Sequence, residues 1–149
     1  MASITSTSHS QISVPMNCMV KAGATTAVIA SISNLLILFI AEALFSVTSQ
    51  FAALNFSAVM LSSVLAAIGG TIAFTLIVQM FPSRPVRIFQ IVASVVFLLS
   101  LAAPINAGIN GLPGIAPASM IVVLTMIIMH SVSTGTIVVS LTTFVEEWD

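Results

Sequence analysis

Residues 22–41 read AGATTAVIASISNLLILFIA, a run of 20 positions without a charge, bounded by Lys21 and Glu42. As a helix rising 1.5 Å per residue the run is about 30 Å long, the thickness of a bilayer's hydrocarbon core. Working outward, the chain's other charges are Arg84, Arg87, Glu146, Glu147 and Asp149, which leaves two further long uncharged stretches. Only 5% of the 149 residues are charged and 58% are hydrophobic, whereas an ordinary soluble domain carries roughly 25% charge. So few charges cannot cover a water-facing surface, so lipid must be the solvent. Mean hydropathy, at +1.21, agrees.

The long uncharged stretches divide further. Residues 43–83 exceed one crossing, and Thr48, Ser49, Gln50, Asn55 and Ser57 mark a break near their start. The first two spans are therefore expected at about 22–46 and 57–81. Phe81-Pro82-Ser83-Arg84-Pro85 is a tight reversal, because proline lacks an amide donor and pushes the residue before it out of helical geometry. A third span over 86–103 is expected to end at Pro104. Residues 104–117, PINAGINGLPGIAP, hold three prolines, three glycines and two asparagines, a composition that reads as an outer loop. A re-entrant segment lining a cavity is the alternative reading. The fourth span covers 118–145.

The expected fold is all-α: a polytopic membrane protein with four transmembrane helices in an up-down bundle with short loops. Residues 1–20 form a disordered Ser/Thr-rich tail, 21–145 the transmembrane domain, and 146–149 an acidic tail in which Trp148 suits an interfacial anchor. Ala41-Glu42-Ala43 loosely resembles a signal-peptide cleavage site, the competing reading of residues 1–43. Lys21, Arg84 and Arg87 all fall on one side of a four-helix path, so both termini are expected in the cytoplasm and the protein in the plasma membrane.

Polar residues inside a bilayer are costly and therefore informative. Asn34 and His130 fall near the middle of the first and fourth spans, a candidate intramembrane pair, with Ser133 and Thr134 one turn beyond His130. Ala27, Ser31, Asn34 and Ala41 form a small or polar stripe that should turn inward. Glu42 is the lone charge on the outer half, a candidate outer-mouth carboxylate. Ser62, Ala66, Gly69, Gly70 and Ala73 form a small-residue face expected to pack against another helix.

Three cations exclude a nucleic-acid surface, and one cysteine, Cys18, excludes an internal disulfide. No phosphate-binding, zinc-protease or serine-hydrolase motif is present. One histidine without nearby carboxylates or thiols supplies too few metal ligands, so no metal or cofactor is expected. The expected partners are the lipid bilayer and other membrane subunits, or further copies of the chain. The expected function is a non-enzymatic accessory or assembly subunit of a membrane complex. The alternative is a small oligomeric transporter or channel using Glu42 and His130 as titratable groups.

Asn34-Leu35-Leu36, the Ser83-Arg84-Pro85 turn, Pro104 and Met129-His130 together resemble an uncharacterised family of small four-helix prokaryotic membrane proteins. The resemblance covers roughly residues 20–145. It implies a four-helix bundle in a bacterial-type plasma membrane, and implies no activity, cofactor or catalytic residue.

Overall fold

The computed structural model describes residues 15–146, all helix and turn with no strand. The first helix, α1 (Met16–Phe45), starts earlier than composition suggests. Pro15 precedes it with φ of −60°, and its carbonyl accepts the amides of Cys18 and Met19. Proline suits a helix entrance, where its missing amide costs nothing. Residues 16–20, assigned from composition to the tail, are therefore helical. Residues 1–14 and 147–149, including the rest of the expected tails and Trp148, lie outside the described residues. Glu146 is the last residue of the last helix rather than the start of an acidic tail.

α1 stops at Ser46, the non-glycine residue with positive φ among those described, at 51°. One short turn follows, α2 (Val47–Gln50), and then α3 (Phe56–Met80). Asn55 caps α3 by accepting the Ala58 amide at 3.0 Å, which removes one of the free donors at a helix start. At the other end Phe81 to Arg84 reverse the chain, and Pro85 occupies the first turn of α4 (Pro85–Ser100). The third span then departs from expectation. The chain breaks at Leu101, three residues before Pro104, and continues as α5 (Ala102–Asn110).

Proline explains both the break and the recovery. Its ring cannot accept the carbonyl four residues back, here that of Ser100, so α4 ends there. In the first turn of a new helix the same proline lacks only a donor that would be unpaired. Pro85 to Asn110 together make a third apolar path of 26 residues, and the loop shrinks to 111–119 before α6 (Met120–Glu146).

Two apolar clusters fix the bundle's direction. At one end Met19 and Ala22 of α1 meet Ile77 and Val78 of α3, Phe89 of α4 and Leu141 of α6. At the other, Leu38 and Ala41 of α1 meet Val59 of α3, Ala107 of α5 and Val122 of α6. Early α1 thus lies beside late α3, early α4 and late α6, the up-down order. α1 packs most extensively against α3 and α6, and the backbone of α4 takes the opposite corner.

The exterior is as apolar as the core. Phe39, Leu99 and Met120 are 72%, 69% and 73% exposed, an inversion that suits lipid and not water. Four helical paths are long and apolar enough to cross a membrane, so the chain is a multi-pass, all-α four-helix bundle.

Candidate functional site

The stripe expected on α1 turns inward: Ser31, Asn34 and Ala41 are buried and Ala27 is half-buried, and Thr26, outside that stripe, is buried as well. Asn34 sits about 16 Å from the Phe45 end of α1 and His130 about 15 Å from the Met120 end of α6, so the two share a depth. They do not share a hydrogen bond. Both hydrogens of the Asn34 amide are used elsewhere, by Ser63 Oγ on α3 at 2.8 Å and Ser133 Oγ on α6 at 2.6 Å. One carboxamide thus ties α1 to both neighbours. Asn34 Oδ1 is buried without a donor.

His130 lies one turn before Ser133, and its Nδ1 is 2.8 Å from the carbonyl of Met126. A carbonyl can only accept, so Nδ1 carries hydrogen. In the neutral ring Nε2 then presents a lone pair, which meets no donor among the described residues. Thr125, Ser131 and Thr142 of α6 return their hydroxyl protons to carbonyls one turn back. No such bond holds neighbouring Thr134, nor Thr136 and Ser140 further along the helix.

His130, Ser133 and Thr134 meet at a cavity of about 600 Å³ between α3, α4 and α6, with Asn34 of α1 at its edge. Its volume falls within the range of about 300–1,000 Å³ typical of small-molecule sites. It exists because α4 leans away from the other helices: Phe89 is its one buried residue. Phe89 packs on Phe74 with ring centroids 4.8 Å apart and closes the cleft near the α3–α4 turn. Beyond that contact, Val92 and Val96 of α4 face Ala66 and Gly69 of α3 across open space. No charged residue lines the cavity.

The expected packing face of α3 is therefore divided. Ser62, Ala66 and Gly69 are exposed along the cleft, whereas Gly70 and Ala73 are half-buried. α3 instead buries the adjacent stripe of Val59, Ser63, Ala67 and Phe74. Two glycines seat neighbouring helices closely: an added Cβ at Gly70 of α3 would stand 2.6 Å from Ile137 Cγ2 of α6, and one at Gly23 of α1 would stand 2.7 Å from Thr71 Oγ1 of α3. The spacing of Gly23, Ala27 and Ser31 carries that signal in the sequence, since small residues every fourth position admit a neighbouring helix.

Glu42 has a structural duty. Its Oε2 accepts the backbone amide of Thr48 at 2.8 Å, capping α2 after the left-handed turn at Ser46. It does not line the cavity that holds His130 and Asn34. Gln50 braces the same corner by accepting the Ser119 hydroxyl at 2.7 Å. Among the described residues, no three His, Cys, Asp or Glu side chains converge.

No known family pattern, curated protein or solved structure matches this chain.

Proposed function

We propose that this chain is a non-enzymatic accessory protein of the plasma membrane, with both termini in the cytoplasm, that works by holding an apolar molecule in the cleft between α3, α4 and α6. The cavity carries this reading: about 600 Å³ of space, mostly apolar walls and a few convergent polar groups near the middle of the bundle, the composition of a ligand site.

Native mass spectrometry of the protein released from lipid nanodiscs tests the reading. Bound non-covalent adducts are expected on the wild type and lost when Ala66→Phe or Ala93→Phe fills the cleft. Identical spectra for all three, or a wild type without adducts, overturn it. The orientation has its own test in a Cys18→Ser background: thiol labelling at Ser83→Cys from the cytoplasmic side and at Gly114→Cys from the outer side.

The transport reading loses support from the geometry, since Glu42 is engaged with the Thr48 amide and stands apart from His130's cavity. Proteoliposome ion flux indifferent to His130→Leu and Glu42→Gln is the corresponding expectation.

A further inference from the structure

Resting on the reading that the cleft is the working site, we infer that it takes an uncharged amphiphile of the alcohol class, its hydroxyl seated between His130 and Thr134 and its apolar body along α3 and α4.

The argument begins with what the walls leave unpaired. His130 Nδ1 is committed to the Met126 carbonyl, which leaves Nε2 as an acceptor. Asn34 Oδ1 is also without a donor, but that atom is buried away from the cavity and takes no part in the seat. Ser133 Oγ receives the Asn34 amide at 2.6 Å, so its own proton remains to be given. Thr134 brings another hydroxyl to the cavity. The site therefore offers an acceptor and donors side by side.

A hydroxyl satisfies both at once, donating to Nε2 and accepting from Thr134 or Ser133. A carboxylate or phosphate has no hydrogen to give Nε2 and finds no Lys or Arg on the walls. An ammonium ion finds no Asp or Glu there. Either charge would be desolvated without a counter-charge, which is costly at this depth. A plain hydrocarbon fills the cleft but leaves Nε2 unpaired in a low-dielectric setting, where a missing bond is most expensive.

The apolar body is accommodated by the remaining walls. Ala66 and Gly69 make α3 thin on this side, and Val92 and Val96 of α4 stand opposite. An added Cβ at Gly69 would meet nothing within 4 Å, so this part of the cleft is open. The chemistry is shared by two sources, a free apolar alcohol and an uncharged glycerolipid bearing one hydroxyl.

The test uses the full chain in nanodiscs, with ¹⁵N-labelled histidine and three probes: 1-decanol, 1,2-dioctanoylglycerol and decane. His130 is assigned by the resonance lost in His130→Leu. Decanol or the glycerolipid is expected to raise the unfolding midpoint in proportion to its concentration, as ligand linkage requires, and to move the unprotonated Nε2 resonance upfield. Decane is expected to raise the midpoint less and leave Nε2 in place. The advantage of the hydroxyl probe over decane should vanish in His130→Leu and in Thr134→Val, the second keeping the side chain's shape. The hydroxyl probe with the larger effect at matched mole fraction identifies the source. Equal stabilisation by all three probes with an unmoved Nε2 overturns the alcohol assignment while leaving a ligand-holding cleft. No stabilisation by any probe, together with an unmoved Nε2, overturns the assignment; unchanged adducts in Ala66→Phe overturn the cleft itself.

Discussion

Asn34 and Ser133, 99 positions apart in the chain, are joined by a 2.6 Å hydrogen bond from the carboxamide of α1 to the hydroxyl of α6. The same carboxamide holds Ser63 of α3 at 2.8 Å, so the register of three helices depends on one side chain. Interhelical bonds of this kind contribute about 0.6–2 kcal/mol in membrane proteins. A double-mutant cycle of Asn34→Leu and Ser133→Ala should therefore show non-additive loss of stability of that size, read from unfolding in mixed micelles. The Asn34→Leu and His130→Leu cycle should show a smaller coupling, because no bond connects that pair. A larger coupling to His130 than to Ser133 would contradict the arrangement.

Glu42 carries the next expectation. Its carboxylate accepts the Thr48 amide at the start of α2, and the corner beyond it buries Val47 and Phe51 in the apolar cluster at that end of the bundle. Removing a capping acceptor costs about 0.5–2 kcal/mol. Glu42→Ala should destabilise by about that much, and Glu42→Gln, which keeps an acceptor oxygen, by much less. Equal losses in the two variants would show that the negative charge, and not the cap, is what matters at this position.

Much of this architecture is legible from charge positions and prolines. Lys21 does not mark a start, since α1 already begins at Met16. Glu42 and the Pro82–Pro85 turn do mark where the first two spanning helices end, because a charge in hydrocarbon and a proline in a helix are both expensive. Pro104 misleads for the same reason. Its cost depends on whether it falls inside a helix or in the first turn of a new one, and that depends on where the preceding helix yields. The inward turn of Asn34 follows from its neighbours Ser31 and Ala41. Its partner does not, since a stripe on one helix leaves the rotation of the facing helix open. The cavity is the least legible feature. It comes from the lean of α4, and side chains such as Val92 and Val96 would read the same in a closed bundle.

Gly23 and Gly69 separate a tight helix contact from an open one. A Cβ at Gly23 would lie 2.7 Å from Thr71 Oγ1 and 2.9 Å from Thr71 Cγ2. Thr71 cannot swing aside without giving up its 2.7 Å bond to the Ala67 carbonyl. Overpacking of this sort costs about 1–3 kcal/mol, so Gly23→Ala should lower the unfolding midpoint. At Gly69 the added methyl meets nothing, and the loss of backbone freedom in the unfolded chain should give a gain of about 0.5–1 kcal/mol. Thermal unfolding of the two variants side by side checks the contrast, and a destabilised Gly69→Ala would mean that α4 stands closer to α3 than described.

The loop between α5 and α6 offers the same comparison in backbone terms. Gly111 and Gly114 both adopt positive φ, at 71° and 77°, a region that costs a side chain about 1–2 kcal/mol. Only Gly111 is also enclosed. An added Cβ there would run into the carbonyl oxygen of Ile115, and into the Ala116 carbonyl carbon at 2.9 Å. That segment is held in place by the Ala118 amide bonding to the Ala107 carbonyl at 2.9 Å, so it cannot retreat without loosening the end of α5 from the start of α6. Gly114 has open space around it. Gly114→Ala should therefore lose about 1–2 kcal/mol from conformation alone, and Gly111→Ala distinctly more. Hydrogen exchange should locate the additional loss at the Ala118 and Leu112 amides, since these bonds close the loop. Equal losses at the two glycines would mean that the loop moves as a flexible unit, and the close contact at Ile115 would then not constrain the connection between the third and fourth spans.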